Sequence, residues 1–176
     1  MSRIIRPQIA WIAATLALAS LQVWGAPPQN EAAAGPVPAP ILAAKRAFIS
    51  NAGAGCGLLG ERGFSGGSAR PYNAFYSAMK SWGRYELVTA PADADLAFEI
   101  SFACPAGGGR VVKGDSVGPA YDPQLSVVIL DVKTRIVLWA FNEPVGLALL
   151  QGNRDKNLDR AISALLDNLK RLVAGP

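Results

Sequence analysis

Residues 124–145, QLSVVILDVKTRIVLWAFNEPV, form the most apolar stretch of the chain after its N-terminal leader. Two runs rich in β-branched and aromatic residues flank the polar segment DVKTR, residues 131–135. Such runs on either side of a polar reversal predict a β-hairpin. Both faces of this hairpin are apolar, whereas a strand covered on one side only would alternate. We therefore expect two central strands, or strands whose second face meets something else.

The register of the hairpin follows from where the chain turns. A turn centred on Lys133 and Thr134 would place Val128 opposite Trp139. Five apolar side chains would then share one face: Val128, Leu130, Val137, Trp139 and Phe141. If that face is exposed, it is a candidate interaction patch for another protein.

The composition excludes several kinds of site. The chain has 176 residues, about half of them hydrophobic, which is enough for one domain after a leader. It contains no histidine, which excludes Ser-His-Asp and Cys-His catalysis and histidine-ligated zinc or haem. Two cysteines cannot supply a four-cysteine zinc site. We therefore expect no enzyme, no catalytic residue, no metal and no cofactor.

The charge argues against nucleic acid as a partner. The net charge is +4, and two of those charges, Arg3 and Arg6, lie in the leader. No Lys/Arg cluster is longer than two neighbours, so there is no basic patch of the kind that binds phosphate backbones.

The N-terminal region predicts export. Residues 1–25 combine two arginines, an apolar core and small residues before Ala26, which is typical of a signal peptide. Residues 26–44 are rich in proline and alanine and predict an extended linker. The folded domain is expected over residues 45–174, in the periplasm or secreted. An uncleaved leader would be its only connection to a membrane.

Periodicity predicts the other elements. Strands are expected at 45–50, 85–89 and 95–103, and helices at 71–82 and 156–173. Gly83 should end the first helix, and Asp155 or Asn157 should cap the second. With the hairpin, these elements predict an α+β fold: a two-layer sandwich with a mixed sheet of about five strands and two helices on one face. The strand order stays open.

Two motifs admit a functional interpretation. A GxGxxG pattern at Gly55, Gly57 and Gly60 resembles a dinucleotide cradle. The glycine-rich residues that follow cannot begin a helix there, which favours a surface loop. Asp93, Asp95 and Glu99 form a small acidic group that could serve a ligand or hydrolytic site, or could simply be solvated.

Cys56 and Cys104 are the candidate disulfide, because an even pair usually bonds in an oxidising compartment. If the strand at 95–103 ran antiparallel to the strand at 45–50, however, the two cysteines would leave opposite ends of the sheet. Both the bonded and the free state therefore remain open.

Several short segments resemble small exported bacterial proteins. They are KRAFISN at 45–51, YELV at 85–88, ADADL at 92–96, Leu130-Asp131 and VLW at 137–139. The layout is similar to the α/β domains of CsgG-type and LpoB-type envelope proteins and to the N-terminal domain of TolB. The resemblance implies a non-catalytic, envelope-associated domain for protein–protein interaction or assembly, with an unidentified envelope protein as its partner.

Overall fold

The computed structural model describes residues 35–56, 63–107, 111–112, 115–116 and 120–175. The predicted signal peptide and residues 26–34 of the predicted linker lie outside these residues. The helices are α1 (Ala39–Ala43), α2 (Arg70–Trp82) and α3 (Gln151–Ala174). The strands are β1 (Arg46–Ala54), β2 (Glu86–Leu87), β3 (Leu96–Ala103), β4 (Ala106–Gly107), β5 (Val111–Val112), β6 (Asp115–Ser116), β7 (Ala120–Tyr121), β8 (Gln124–Asp131) and β9 (Val137–Pro144). Within the described part of the chain, no helix has the length and apolarity to cross a membrane.

The main sheet has five strands in the order β2-β1-β3-β8-β9. Strand β1 is parallel to both β2 and β3, whereas β8 and β9 are antiparallel to their neighbours. The short strands pair separately, β4 with β7 and β5 with β6. Helices α2 and α3 pack on the main sheet and on each other. The predicted α+β class with a mixed five-stranded sheet is confirmed.

The direction of β3 differs from the antiparallel arrangement considered from the sequence. Strand β2 is only two residues long, and it starts beside Arg46. The chain therefore returns through a short 3₁₀ turn, Pro91–Asp93, and begins β3 beside Ala47. A short strand followed by a compact return is what allows β3 to run parallel to β1.

One face of the sheet and the two helices enclose the core. Alternate residues of β3 and β8 are at most 2% exposed on this face: Leu96, Phe98, Ile100, Phe102, Leu125, Val127 and Ile129. The helices contribute Phe75 and Met79 from α2, and Leu158, Leu165 and Leu169 from α3. Because side chains alternate along a strand, the intervening residues lie on the opposite face.

Helix α3 begins at Gln151, earlier than the predicted 156. Neither candidate capping residue caps it. The carboxylate of Asp155 accepts hydrogen bonds from the backbone N–H and the hydroxyl of Ser65, and the Asn157 amide donates to the Gly146 carbonyl at 2.7 Å. These tertiary contacts outweigh the low helix propensity of Gly152 and Asn153. At the end of α2, Gly83 has a φ of 68°, as predicted for a helix C-cap.

The domain includes residues N-terminal to position 45. Helix α1 places Ile41 in the core, where it is fully buried. The Tyr85 hydroxyl donates to the Ile41 carbonyl at 3.4 Å, and Arg84 donates to the Leu42 carbonyl at 3.0 Å. The end of the proline- and alanine-rich segment thus packs against the sheet, because it contains one large aliphatic side chain that the core accommodates.

Candidate interaction surface

The hairpin contains a β-bulge that changes its predicted register. Leu130 lies opposite Val137 as expected, but Ile129 lies opposite Trp139, which leaves Leu138 as an extra residue. The predicted pairing of Val128 with Trp139 is therefore wrong. An extra residue of this kind shifts the rest of the strand by one position and moves each following side chain to the other face.

The turn itself has the register expected from the sequence, because the Asp131 N–H donates to the Ile136 carbonyl at 3.0 Å. The Asp131 carboxylate accepts hydrogen bonds from the N–H groups of Lys133 at 2.9 Å and Thr134 at 2.8 Å. Arg135 then adopts a left-handed conformation with a φ of 59°, and its N–H donates to the Asp131 carbonyl. The bulge therefore lies beyond the turn, where Leu138 is the extra residue between the Leu130–Val137 and Ile129–Trp139 pairs.

The predicted interaction patch is consequently divided between the two faces of the sheet. Val128, Leu130 and Val137 lie together on the face opposite the helices. Phe141 faces the core and is only 8% exposed. Trp139 lies on the same side, with its ring centroid 6.4 Å from that of Phe141.

The side of the sheet opposite helices α2 and α3, on which no helix of the described residues packs, is here called the open face, and it carries an apolar row. Phe48, Ala97, Leu130 and Val137 are successive partners across β1, β3, β8 and β9. At a strand spacing of about 4.8 Å, this row is roughly 14 Å long. Val137 is 55% exposed, and Ile136 beside it is 60% exposed. The row is therefore accessible at its β9 end.

A carboxylate lies next to the apolar row. The second row of the open face consists of Ser50, Glu99, Val128 and Ala140. Within the residues that the structure describes, Glu99 takes part in none of the ion pairs. The open face thus combines aliphatic and aromatic groups with one negative charge near its centre.

The acidic group predicted from the sequence does not converge. Asp95 accepts hydrogen bonds from the N–H groups of Arg46 at 2.9 Å and Lys45 at 3.0 Å, and these bonds lower the pKa of its carboxyl group. Glu99 is four positions further along the strand, about 13 Å away by the rise of a β-strand. Asp93 lies in an exposed turn. In the described residues, no three acidic or cysteine side chains are placed to hold a metal ion.

The candidate disulfide is present. Cys56 and Cys104 are bonded, with their Cα atoms 5.0 Å apart. Because β1 and β3 are parallel neighbours, both cysteines leave the sheet at the same end, and the Gly55 N–H donates to the Phe102 carbonyl just before them. The antiparallel arrangement, in which the two cysteines would leave opposite ends of the sheet, was therefore wrong. Gly57 and Gly60 of the GxGxxG pattern lie outside the described residues.

Glu143 was not identified from the sequence. It is 7% exposed and faces α3, where Asn168 donates a hydrogen bond to it. Burial raises the pKa of Glu143, against the opposing effects of Asn168 and Arg171. The bulge at Leu138 turns Glu143 inward, so a strictly alternating pattern would place it on the opposite face.

No protein-family model matches the chain, and no curated protein matches it. Solved structures that this chain resembles include the PelC dodecamer from Paraburkholderia phytofirmans, with 15% identity and a TM-score of 0.43 over 77% of this chain and 91% of that one. A DUF330 protein from Xanthomonas campestris has 11% identity and a TM-score of 0.44 over 73% of this chain and 82% of that one. The LpoB C-terminal domain from Salmonella enterica has 13% identity and a TM-score of 0.36 over 59% of this chain and 84% of that one. An LpoB domain, one of the types that the sequence resembles, is thus among the similar structures.

Proposed function

We propose that this chain is a non-catalytic binding domain of the cell envelope and that its open face docks a partner protein. The observation that carries the proposal is the apolar row from Phe48 to Val137, which no helix of the described chain covers. Contiguous apolar surface of this kind is uncommon on a protein that binds nothing, because its burial by a partner is favourable.

The charge on the open face indicates the chemistry of the partner. Glu99 lies between Ser50 and Val128 on the neighbouring strands. A partner that buried Glu99 without compensation would leave a desolvated charge, which is costly. The best complement is therefore an apolar surface with a lysine or arginine side chain opposite Glu99. Such a pair would fix the orientation of the partner more than it would add affinity.

Two further observations support the proposal. The disulfide between Cys56 and Cys104 is of the kind that persists in oxidising compartments outside the cytoplasm. The alternative, a hydrolytic or ligand-binding site at Asp93, Asp95 and Glu99, lacks support because Asp95 is occupied with the backbone of Lys45 and Arg46.

Site-specific photocrosslinking in the periplasm of producing cells tests the proposal. A benzoyl-phenylalanine would replace Val128 or Ala140 on the open face, or Lys80 on the exposed side of α2 as the matched control. We expect one discrete protein adduct from the two open-face positions and none from the control. Glu99→Lys should abolish that adduct, since it places like charges opposite each other.

The proposal fails if the folded, disulfide-bonded protein gives no adduct from the open face. It also fails if Lys80 gives the same adduct, or if Glu99→Lys leaves the yield unchanged.

A further inference from the structure

A second apolar surface lies in the loop between β9 and α3. Residues 147–150, LALL, expose three large aliphatic side chains: Leu147 by 63%, Leu149 by 97% and Leu150 by 69%. This segment, called the leucine loop here, follows the end of β9 that pairs with the start of β8. It is separate from the apolar row, which reaches β9 at its other end, at Val137.

The leucine loop is fixed from its inner side. Arg154 donates from Nη1 to the carbonyls of Ala148 at 3.2 Å and Leu149 at 2.6 Å, and from Nε to the Gly63 carbonyl at 2.6 Å. Asn157 donates to the Gly146 carbonyl. The polar backbone is thus satisfied from within, while the leucine side chains are held outward. Preorganised apolar groups bind with a smaller ordering cost than a loose loop would.

The charges that follow the leucine loop are mainly positive, and the two acids among them, Asp155 and Asp159, are both paired with Arg70. Residues 144–154 contain no carboxylate, and Arg154 is their single charged residue. Lys156 and Arg160 are exposed on the next turns of α3. The nearest acid in sequence, Asp155, is engaged by Ser65 and lies 3.8 Å from Arg70. The exposed charge nearest the leucines along the chain is therefore positive.

The cations beside the leucines favour a lipid as the occupant. Aliphatic side chains beside exposed cations are typical of segments that enter the headgroup region of a membrane, where anionic lipids attract the cations. We propose that the leucine loop inserts into the surface of a bilayer that contains anionic phospholipid.

Vesicle sedimentation tests this proposal on the full chain purified from the periplasm. The vesicles would contain phosphatidylcholine with phosphatidylglycerol, or phosphatidylcholine alone. Leu147→Ser, Leu149→Ser and Leu150→Ser together should lower the partition coefficient on anionic vesicles more than about tenfold, because serine removes most of the apolar area. Leu42→Ser, at an exposed leucine elsewhere, should leave binding unchanged. Lys156→Gln with Arg160→Gln should weaken binding about fivefold per charge.

Each variant is checked by circular dichroism and for an intact disulfide. The proposal is overturned if the folded wild-type chain does not bind anionic vesicles, or if the triple serine variant binds as well as wild type. Equal binding to neutral vesicles would overturn the role of anionic lipid. Because these variants leave the open face intact, a failure here is distinguishable from a failure of the photocrosslinking experiment.

Discussion

Removing the disulfide gives the prediction with the clearest magnitude. Cys56 and Cys104 are 48 positions apart in sequence, and their bond encloses α2, β2 and β3. We expect the Cys56→Ala, Cys104→Ala double variant to fold with the same sheet, because β1 and β3 already pair as far as Ala54 and Phe102. Its free energy of unfolding should nevertheless be much lower.

The magnitude follows from the unfolded chain. Closing a loop of this length restricts the denatured ensemble, and the chain-entropy relation gives about 4 kcal/mol at 25 °C. Domains of this size have a total stability of roughly 5–15 kcal/mol, so the loss is a large fraction of the whole. The slope of the urea transition should also rise, because the variant exposes more surface when it unfolds.

Urea unfolding followed by tryptophan fluorescence measures both quantities, since Trp82 and Trp139 lie within the folded domain. Wild-type protein unfolded in reductant should match the double variant, and reductant should not affect the double variant. A loss below about 1 kcal/mol, with an unchanged slope, would refute the reasoning and indicate that the unfolded chain is already compact in this region.

Other expected outcomes concern single positions. Glu143→Gln should stabilise the domain at neutral pH, because the pKa of Glu143 is raised on folding. Ionisation of Glu143 therefore lowers the stability of the wild-type protein as the pH rises from the unfolded-state pKa through the folded-state pKa. The gain in the free energy of unfolding, measured in urea, should disappear in acid, where Glu143 is protonated in both states. Gly83→Ala should lower the stability measured by thermal unfolding by about 1 kcal/mol, because alanine disfavours the left-handed conformation of Gly83. A steric clash does not contribute, since no atom lies within 4 Å of the added Cβ. Gly83→Asn should cost less. Leu165→Ala, at a fully buried position, should cost about 2–5 kcal/mol in the same assay, whereas Leu166→Ala beside it, which is only half-buried, should cost less.

Most of the fold follows from local patterns. Helix α2 is predicted by its aromatic stripe and by the glycine that follows it, and β3 is predicted by its alternation. At these positions the residues of the element itself determine its burial and its backbone conformation. The order of the strands does not follow in the same way. It depends on the two-residue length of β2, which lets the chain return to the start of the sheet.

The candidate site was harder to predict because one residue decides it. The extra residue Leu138 exchanges the two faces of β9, so that Phe141 enters the core and Ala140 joins Val128 outside. The turn gives no signal of this bulge, because Leu130 pairs with Val137 as predicted and the extra residue follows only after that pair. The leucine loop was missed because a run of apolar residues predicts burial, whereas hydrogen bonds from Arg154 and Asn157, which are distant in the local pattern, hold its backbone inward.

The place of β1 in the sheet determines the order in which the strands can pair as the chain is synthesised. Both of its partners, β2 and β3, come later in the chain. Ala47 and its partner Leu96 are separated by about 50 residues, so β1 cannot pair with β3 until those residues have been synthesised. The β8–β9 hairpin closes over a short loop and is expected to form quickly once its residues are available. Cys56 therefore remains a thiol until Cys104 follows it. Since the chain has only two cysteines, oxidation within one molecule has a single product, so reshuffling of wrong bonds can arise only between molecules.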